Sequence, residues 1–545
     1  MLLGFVFIFS HNMKAGGLIS EGELRVWGNF QMDAQYYITD TLIGADEVPE
    51  KILMNGFGNI NFSYKDFTMG MRYESYQNPM LGYDPRYKGS GIPYRFASYN
   101  RQNLEVTLGN FYEQFGSGMV FRTYEEKDLG IDNAMDGLRL VYRPLDGVTF
   151  RTVIGQQRLF FDTGPGIVRG ADTRIRLNSV IPAMEGMKSR WTAGGSVVSK
   201  YQEDQNPLYN LPENVAAFAG RLEYGRGNVN IRGEYAHKIN DPSSDNNFIY
   251  KDGQALHLTG TYSTRGFGLL LSGKRIDNMS FRSDRNATGN DLNINYLPPT
   301  TKQHVYSLSG MYPYATQPTG EIGFMGELNF NLPRETTLGG PYGTNFTLNY
   351  SLANSIHKEQ IHDTIPIGQT GTKGYKSDFF KMGDEKYFQD VNVEISRRFS
   401  PTLRGIFSYA YITYNQNVIE GYSDKDKVYA HVLITDMTHR LPQGRSLNWE
   451  LQHLSTRQDN QDWAMARVEY RTSDWFFALS DQYNYGNDDE DMRIHYYSVS
   501  AGYSKDANRF SLSYGKQREG VICVGGVCRQ VPASYGFLLS VTSSF

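Results

Sequence analysis

The sequence contains no apolar run near the ~18 residues that a membrane-spanning helix requires, so a helical membrane protein is excluded. Leucine, alanine, glutamate and lysine are not prominent, which argues against a chain built mainly of helices. Basic residues are not in excess: 54 Lys and Arg stand against 58 Asp and Glu, a net charge of −4, and this predicts no nucleic-acid partner. Cysteine is nearly absent, with only Cys523 and Cys528, too few ligands for a zinc site. No nucleophile elbow, P-loop, HExxH or dinucleotide fingerprint occurs, and no repeat of fixed period marks a propeller or solenoid.

What is abundant is aromatic and glycine: 14% Phe, Trp and Tyr, with 39 tyrosines and 56 glycines in 545 residues. From Leu24 the apolar positions alternate through Val26, Phe30, Met32 and Tyr36, with Arg25, Trp27, Gln31 and Asp33 between them. That period of two defines a long strand. It returns over 52–64 and, after the Lys65-Asp66 turn, over 67–73, and then in about twenty further segments. Tight turns such as 144–147, 225–227, 264–266, 400–402 and 472–474 alternate with long polar loops. Short turns at one end and long loops at the other are the layout of an outer-membrane barrel. The expectation is therefore an all-β fold, a single large antiparallel transmembrane β-barrel. Direct counting gives about 25 strands, but closure by hairpins requires an even number. The range is about 24–26, with 26 slightly preferred, because 306–312 and 374–382 read ambiguously as strand or loop.

The two ends of the chain carry localisation signals. Residues 1–17, with the apolar Leu2 to Phe9 followed by small residues, read as a signal peptide, and 18–545 as the barrel. A first strand beginning by Leu24 leaves no room for a separate N-terminal plug domain. Export allows Cys523 and Cys528, with four residues between them around a turn, to close a local disulfide. At the C-terminus Tyr535, Phe537, Leu539, Val541 and the final Phe545 share one face, which resembles the assembly signal of bacterial outer-membrane proteins. These features predict the bacterial outer membrane, with the lipid bilayer, lipopolysaccharide and the barrel-assembly machinery as partners.

Several segments, Gly109 to Asn133, Thr301 to His304, Tyr312 to Gln317 and Leu338 to Thr344, resemble outer-membrane barrels of unassigned, porin-like character in Bacteroidota. The resemblance extends over nearly the whole mature chain and implies location rather than mechanism. It brings no catalytic residues.

A barrel this wide must be obstructed to avoid a leak, and the candidate obstructions are 113–135, 276–303 and 353–384. Alternation turns Arg139, Arg143, Arg151, Arg174 and Arg176 inward, with Thr173, Ile175 and Leu177 on the lipid face. Glu113, Glu125, Glu126, Asp128 and Asp132 of the preceding loop are expected to face these arginines at a constriction. Arg221 with Glu234 and Glu223 with Arg232 are expected as cross-strand pairs. His357 and His362 lack a ligand set, and His257, His431 and His453 fall on strands whose convergence a sequence does not reveal. The reading is a loop-occluded channel for small polar or anionic solutes, without cofactor or metal. The alternative is a non-conducting barrel that docks a surface lipoprotein or secretion component, and an outer-membrane hydrolase comes third.

Overall fold

A computed structural model describes residues 24–545. The expected signal peptide lies outside the described residues. One sheet of 24 strands runs from Leu24–Tyr37 to Ser534–Ser544, each strand antiparallel to its neighbours, and the first strand pairs with the last. The sheet is thus a closed barrel without an edge, the arrangement by which strands satisfy every ladder hydrogen bond internally.

Among the described residues the strand number is 24, the lower end of the expected range and not the slightly preferred 26. Residues 376–382 belong to the same long strand as 391–395, Lys376–Arg398, and 306–312 is turn and loop. One strand escaped the alternation, Gly89–Arg101, because Pro93 interrupts the pattern and its pairing shifts register between Arg72 and Glu74. A proline lacks the donor that a regular ladder needs. The strand expected over 173–179 ends at Arg176, so Leu177 opens a single helical turn, Leu177–Val180, rather than continuing the lipid face.

The outer surface is apolar where the strands are central. Leu433, Leu451, Val468, Leu479, Val499 and Leu512 are each about half exposed, at 47–57%, forming a belt that water would penalise and hydrocarbon accepts. Around the short-turn end lie paired rings, Phe67 with Tyr99 at 4.9 Å, Trp191 with Tyr224 at 4.5 Å and Trp475 with Tyr503 at 4.7 Å. Their amphipathic outlines suit the boundary between headgroups and hydrocarbon.

The seam depends on the C-terminal strand. Phe545 and Gly28 exchange two backbone hydrogen bonds of 3.0 Å. The Phe545 ring lies over Gly28, where an added Cβ would sit 2.7 Å from the ring and 2.3 Å from the Asn59 carbonyl oxygen. Phe537 and Leu539 face outward and exposed, Val541 is buried beside Met32 and Phe510, and the Tyr535 hydroxyl meets that of Tyr514.

Because backbone rather than a flexible side chain blocks that Cβ, Gly28→Val is expected to cost ~1–3 kcal/mol at the seam. Heat-modifiable gel mobility of the membrane-inserted protein reads this as a smaller folded fraction. Deleting Phe545 is expected to lower the same fraction, whereas Ser544→Ala leaves it unchanged.

Candidate functional site: the loop-filled lumen

At the long-loop end the inner wall is made of small apolar side chains, among them Val153, Val168, Val198, Ala217, Ala236 and Ala255, all buried. A water-filled barrel would place polar groups there. The wall is instead covered by two loops. From 112–134 come Phe115, Met119 and Phe121, and from 278–319 come Met279, Phe281 and Ile294, forming one dry cluster with the wall. The wall residues must be small because the Phe115 ring would lie 2.8 Å from a Cβ at Gly170. Across the lumen Leu308, Met311, Tyr312 and Tyr314 of the same long loop pack on Phe388, Ala410, Ile412, Val432 and Leu454. Each large apolar side chain removed from water contributes ~1.5–3 kcal/mol, so the two clusters hold the loops as a plug.

Charge fixes the plug in register. Arg139 donates to Glu113 at 2.7 Å and pairs with Glu105, while Arg151 pairs with Asp172 at 3.0 Å and lies 3.9 Å from Glu113. The loop tip crosses to the strand Val229–Lys238, where the Ser117 N–H donates to Glu234 at 2.8 Å. Gly116 has φ +57 and touches the Glu234 carboxylate, leaving no room for a side chain.

A second ionic group was not foreseen. Arg72 pairs with Glu74 at 2.6 Å, with Glu125 at 2.8 Å and with Asp132. Arg158 joins Glu74 at 2.6 Å and also reaches Asp132, and the Tyr112 hydroxyl donates to Asp132 at 3.0 Å. Arg72, Glu74 and Arg158 are all buried. Burial pushes the Glu125 carboxyl up from its usual range, against the pull of Arg72.

The expected constriction is therefore divided. Glu113 meets Arg139 and Arg151, whereas Glu125 and Asp132 turn to Arg72, and Glu126 and Asp128 pair with none of the five arginines. Arg143, Arg174 and Arg176 stand lower, 45–54% exposed at the side chain, beside Glu105, Glu223 and Asp146. Arg232 lies 3.7 Å from Glu223 as expected, but Arg221 pairs with Asp172 at 2.6 Å rather than with Glu234.

Of the three expected obstructions, 353–384 supplies only the wall residue Ala353 to the two dry clusters: half of it extends two paired strands, Thr344–Glu359 and Lys376–Arg398, and the buried Tyr375 of the rest bonds to Asp277 at 2.7 Å. The disulfide hairpin takes that part. Cys523 and Cys528 are bonded across the paired strands Gly520–Val524 and Val527–Val531. The hairpin packs on the 278–319 loop: the Tyr296 hydroxyl donates to the Gly525 carbonyl at 2.7 Å, Gln303 to Cys523 and Asn290 to Cys528, both at 2.9 Å. Arg529 stacks on the Tyr83 ring at 4.5 Å.

His257, His431 and His453 each find a different partner. His257 contacts Ser272 at 3.1 Å, whereas His431 meets Tyr409 at 2.8 Å and His453 meets Tyr485 at 2.7 Å. His357 lies beside Glu359 and Asp378 with ligand atoms within 4.8 Å of one another, while His362 turns to Thr364.

These features define a transmembrane-type β-barrel whose lumen is filled by its own loops. The chain belongs to a family of unknown function (DUF6029), which it matches over residues 1–545. No curated protein sequence matches it. Among solved structures it is similar to the P pilus usher PapC translocation pore, at 10% identity and TM-score 0.43, covering 96% of this chain and 99% of that one. It is also similar to OccAB4 of Acinetobacter baumannii, at 10% identity and TM-score 0.34, covering 85% and 99%. The siderophore receptor PirA of Pseudomonas aeruginosa gives 11% identity and TM-score 0.38, covering 96% and 80%.

Arg158→Ala would leave Glu74 and Asp132 buried without this partner, and is expected to cost ~3–5 kcal/mol in denaturant unfolding. Arg176→Gln, removing a half-exposed pair, is expected to cost less than ~1 kcal/mol in the same measurement.

Proposed function

We propose that this protein lies in the bacterial outer membrane, in a cell of the Bacteroidota, and passes small polar solutes along one side of its plugged lumen. The observation that carries this is a lane. On the strands Trp475–Tyr483, His495–Lys505, Asn508–Gln517 and Ser534–Ser544 the inward positions include Ser480, Ser498, Ser513, Gly515 and Gly536, which line a cavity of about 390 Å3. These residues are too small to anchor a loop by packing, and Ser480, Ser498 and Ser513 are only half-buried. A second cavity, of about 380 Å3, lies toward the long loops and shares Tyr496, Arg518, Glu519 and the hairpin residues Gly520, Val521 and Val531 with the first. The long-loop end is extracellular and the short-turn end periplasmic in this reading. At the periplasmic end the exposed Arg143, Arg174 and Arg176 raise the local anion concentration, giving a preference for anionic over cationic solutes.

His257 with Ser272 and His304 with Asp390 form separate pairs, and no enzymatic step is assigned to them. The two dry clusters favour one other reading, a barrel sealed to ions whose outer loops dock a surface lipoprotein or secretion component. In either case lipid, lipopolysaccharide and the barrel-assembly machinery are the surroundings and helpers that the surface and the C-terminal strand suit.

Planar-bilayer conductance of the refolded protein at two salt concentrations separates the readings. The pore predicts a small steady conductance with anion preference. Substituting Arg139, Arg151 and Arg176 by glutamine is expected to lower that preference. It is also expected to raise the conductance several-fold, because Arg139 and Arg151 hold Glu113 of the plug. Ser498→Trp, placed in the lane, is expected to reduce it. A folded but silent barrel overturns the pore and leaves the docking reading.

A further inference from the structure

The lane and the cavity toward the long loops are separate spaces that share a boundary. Six residues line both, and five of them, Arg518, Glu519, Gly520, Val521 and Val531, belong to the disulfide hairpin or to the stretch that leads into it. The sixth is Tyr496 of the wall. The hairpin does not continue the barrel strands beneath it. The wall ladder ends at Gln517 opposite Ser534, the hairpin ladder begins at Gly520 opposite Val531, and no ladder pairing joins 518–519 to 532–533 between them. Two breaks that face each other leave the backbone able to bend there, because no ladder hydrogen bond resists it. Just below the break Ala533 is buried with Tyr37 and Ile43, so the wall side is fixed and the hairpin is the side that can move.

The parts of the occlusion are also held differently. The loops 112–134 and 278–319 bury large apolar side chains against the wall. The hairpin buries none: every residue from 520 to 531 keeps part of its surface exposed, and none joins a dry cluster. Its polar seat is five hydrogen bonds with the 278–319 loop. Tyr296, Asn290 and Gln303 donate to its carbonyls, the Thr316 N–H donates to the Gly526 carbonyl at 3.0 Å, and the Gly525 N–H donates to Gln303 at 3.4 Å. Neutral hydrogen bonds exchange with water at little net cost, so this seat is easily left. A two-stranded hairpin standing alone is marginal in water, and the Cys523–Cys528 bond lets this one stay folded away from its seat. We propose that the hairpin Gly520–Val531 is the gate of the lane. Seated, it parts the lane from the cavity toward the long loops; swung about 518–519 and 532–533 as one covalently closed body, it joins them into a single path. The gate rests on the pore reading and supplies its regulation.

The test is single-channel recording of the refolded full-length barrel in a planar bilayer, with the folded fraction of every variant checked by gel mobility. The wild type is expected to step between a closed and an open level. Tyr296→Phe combined with Gln303→Ala takes a hydroxyl and an amide from the seat, and is expected to raise the fraction of time open about tenfold with the open level unchanged. Tyr296→Phe alone, which loses one hydroxyl, is expected to raise it about threefold and serves if the pair folds poorly. Adding Ser498→Trp to either variant is expected to remove the gain, because the added current runs through the lane. A conducting wild type whose open fraction the seat variants leave unchanged overturns the gate and leaves the pore. A gain that Ser498→Trp does not reduce also overturns the gate, because the current then leaks elsewhere. A silent wild type that conducts once its seat is loosened supports the gate and overturns only the steady pore, whereas a barrel silent in every form overturns both.

Discussion

The structure depends on closure of the backbone hydrogen-bond ladder. Every strand lends its N–H and C=O groups to two neighbours, and the first strand can do so only because the last returns to it, from Asn29 opposite Ser544 to Tyr37 opposite Gly536. In hydrocarbon there is no water to take up an unpaired edge, so this pairing is obligatory. Closure then fixes the even strand count, the alternation of faces and the existence of an interior. A ring of 24 strands encloses more space than side chains of the wall can fill. The plug is the consequence of that geometry.

Two kinds of interaction divide the work inside. Apolar packing supplies the bulk of the hold, through Phe115, Phe121 and Phe281 on one side and Tyr312 and Tyr314 on the other. Ion pairs supply position: Glu113, Glu125 and Asp132 can each be satisfied only where Arg139, Arg72 and Arg158 stand. A buried ion pair is a poor source of net stability because desolvation offsets its attraction, but a misplaced one is costly, and this selects one seating of the loop over others. Where the wall turns to Ser498, Ser513 and Gly515, neither kind of hold is offered, and space remains.

Much of this was legible in the residues. Alternation over Leu24 to Tyr36 located the first strand and its faces, and the inward direction of Arg139 and Arg151 followed from the same period. The missing strand, Gly89–Arg101, was hidden because Pro93 and a register shift break that period. The Arg72, Glu74 and Arg158 group was half visible, since Arg72 and Glu74 fall on one face. Its third member lies 84 residues beyond Glu74, and such a separation leaves no local signal. The hairpin at Cys523 and Cys528 was readable as a covalent unit, yet its seat on Asn290, Tyr296 and Gln303 is a tertiary fact.

Those long separations bear on how the barrel comes into being. Asn290 reaches Cys528 across 238 positions and Tyr296 reaches Gly525 across 229, so neither contact can form until the intervening strands are in place. Loop-closure entropy makes such partners late to meet. Each part of the plug is also tethered at both ends to the wall, so it cannot be delivered as a finished body. Closing the ring and seating the hairpin are therefore separable events, and the contacts that seat the hairpin are among those that loop-closure entropy disfavours most.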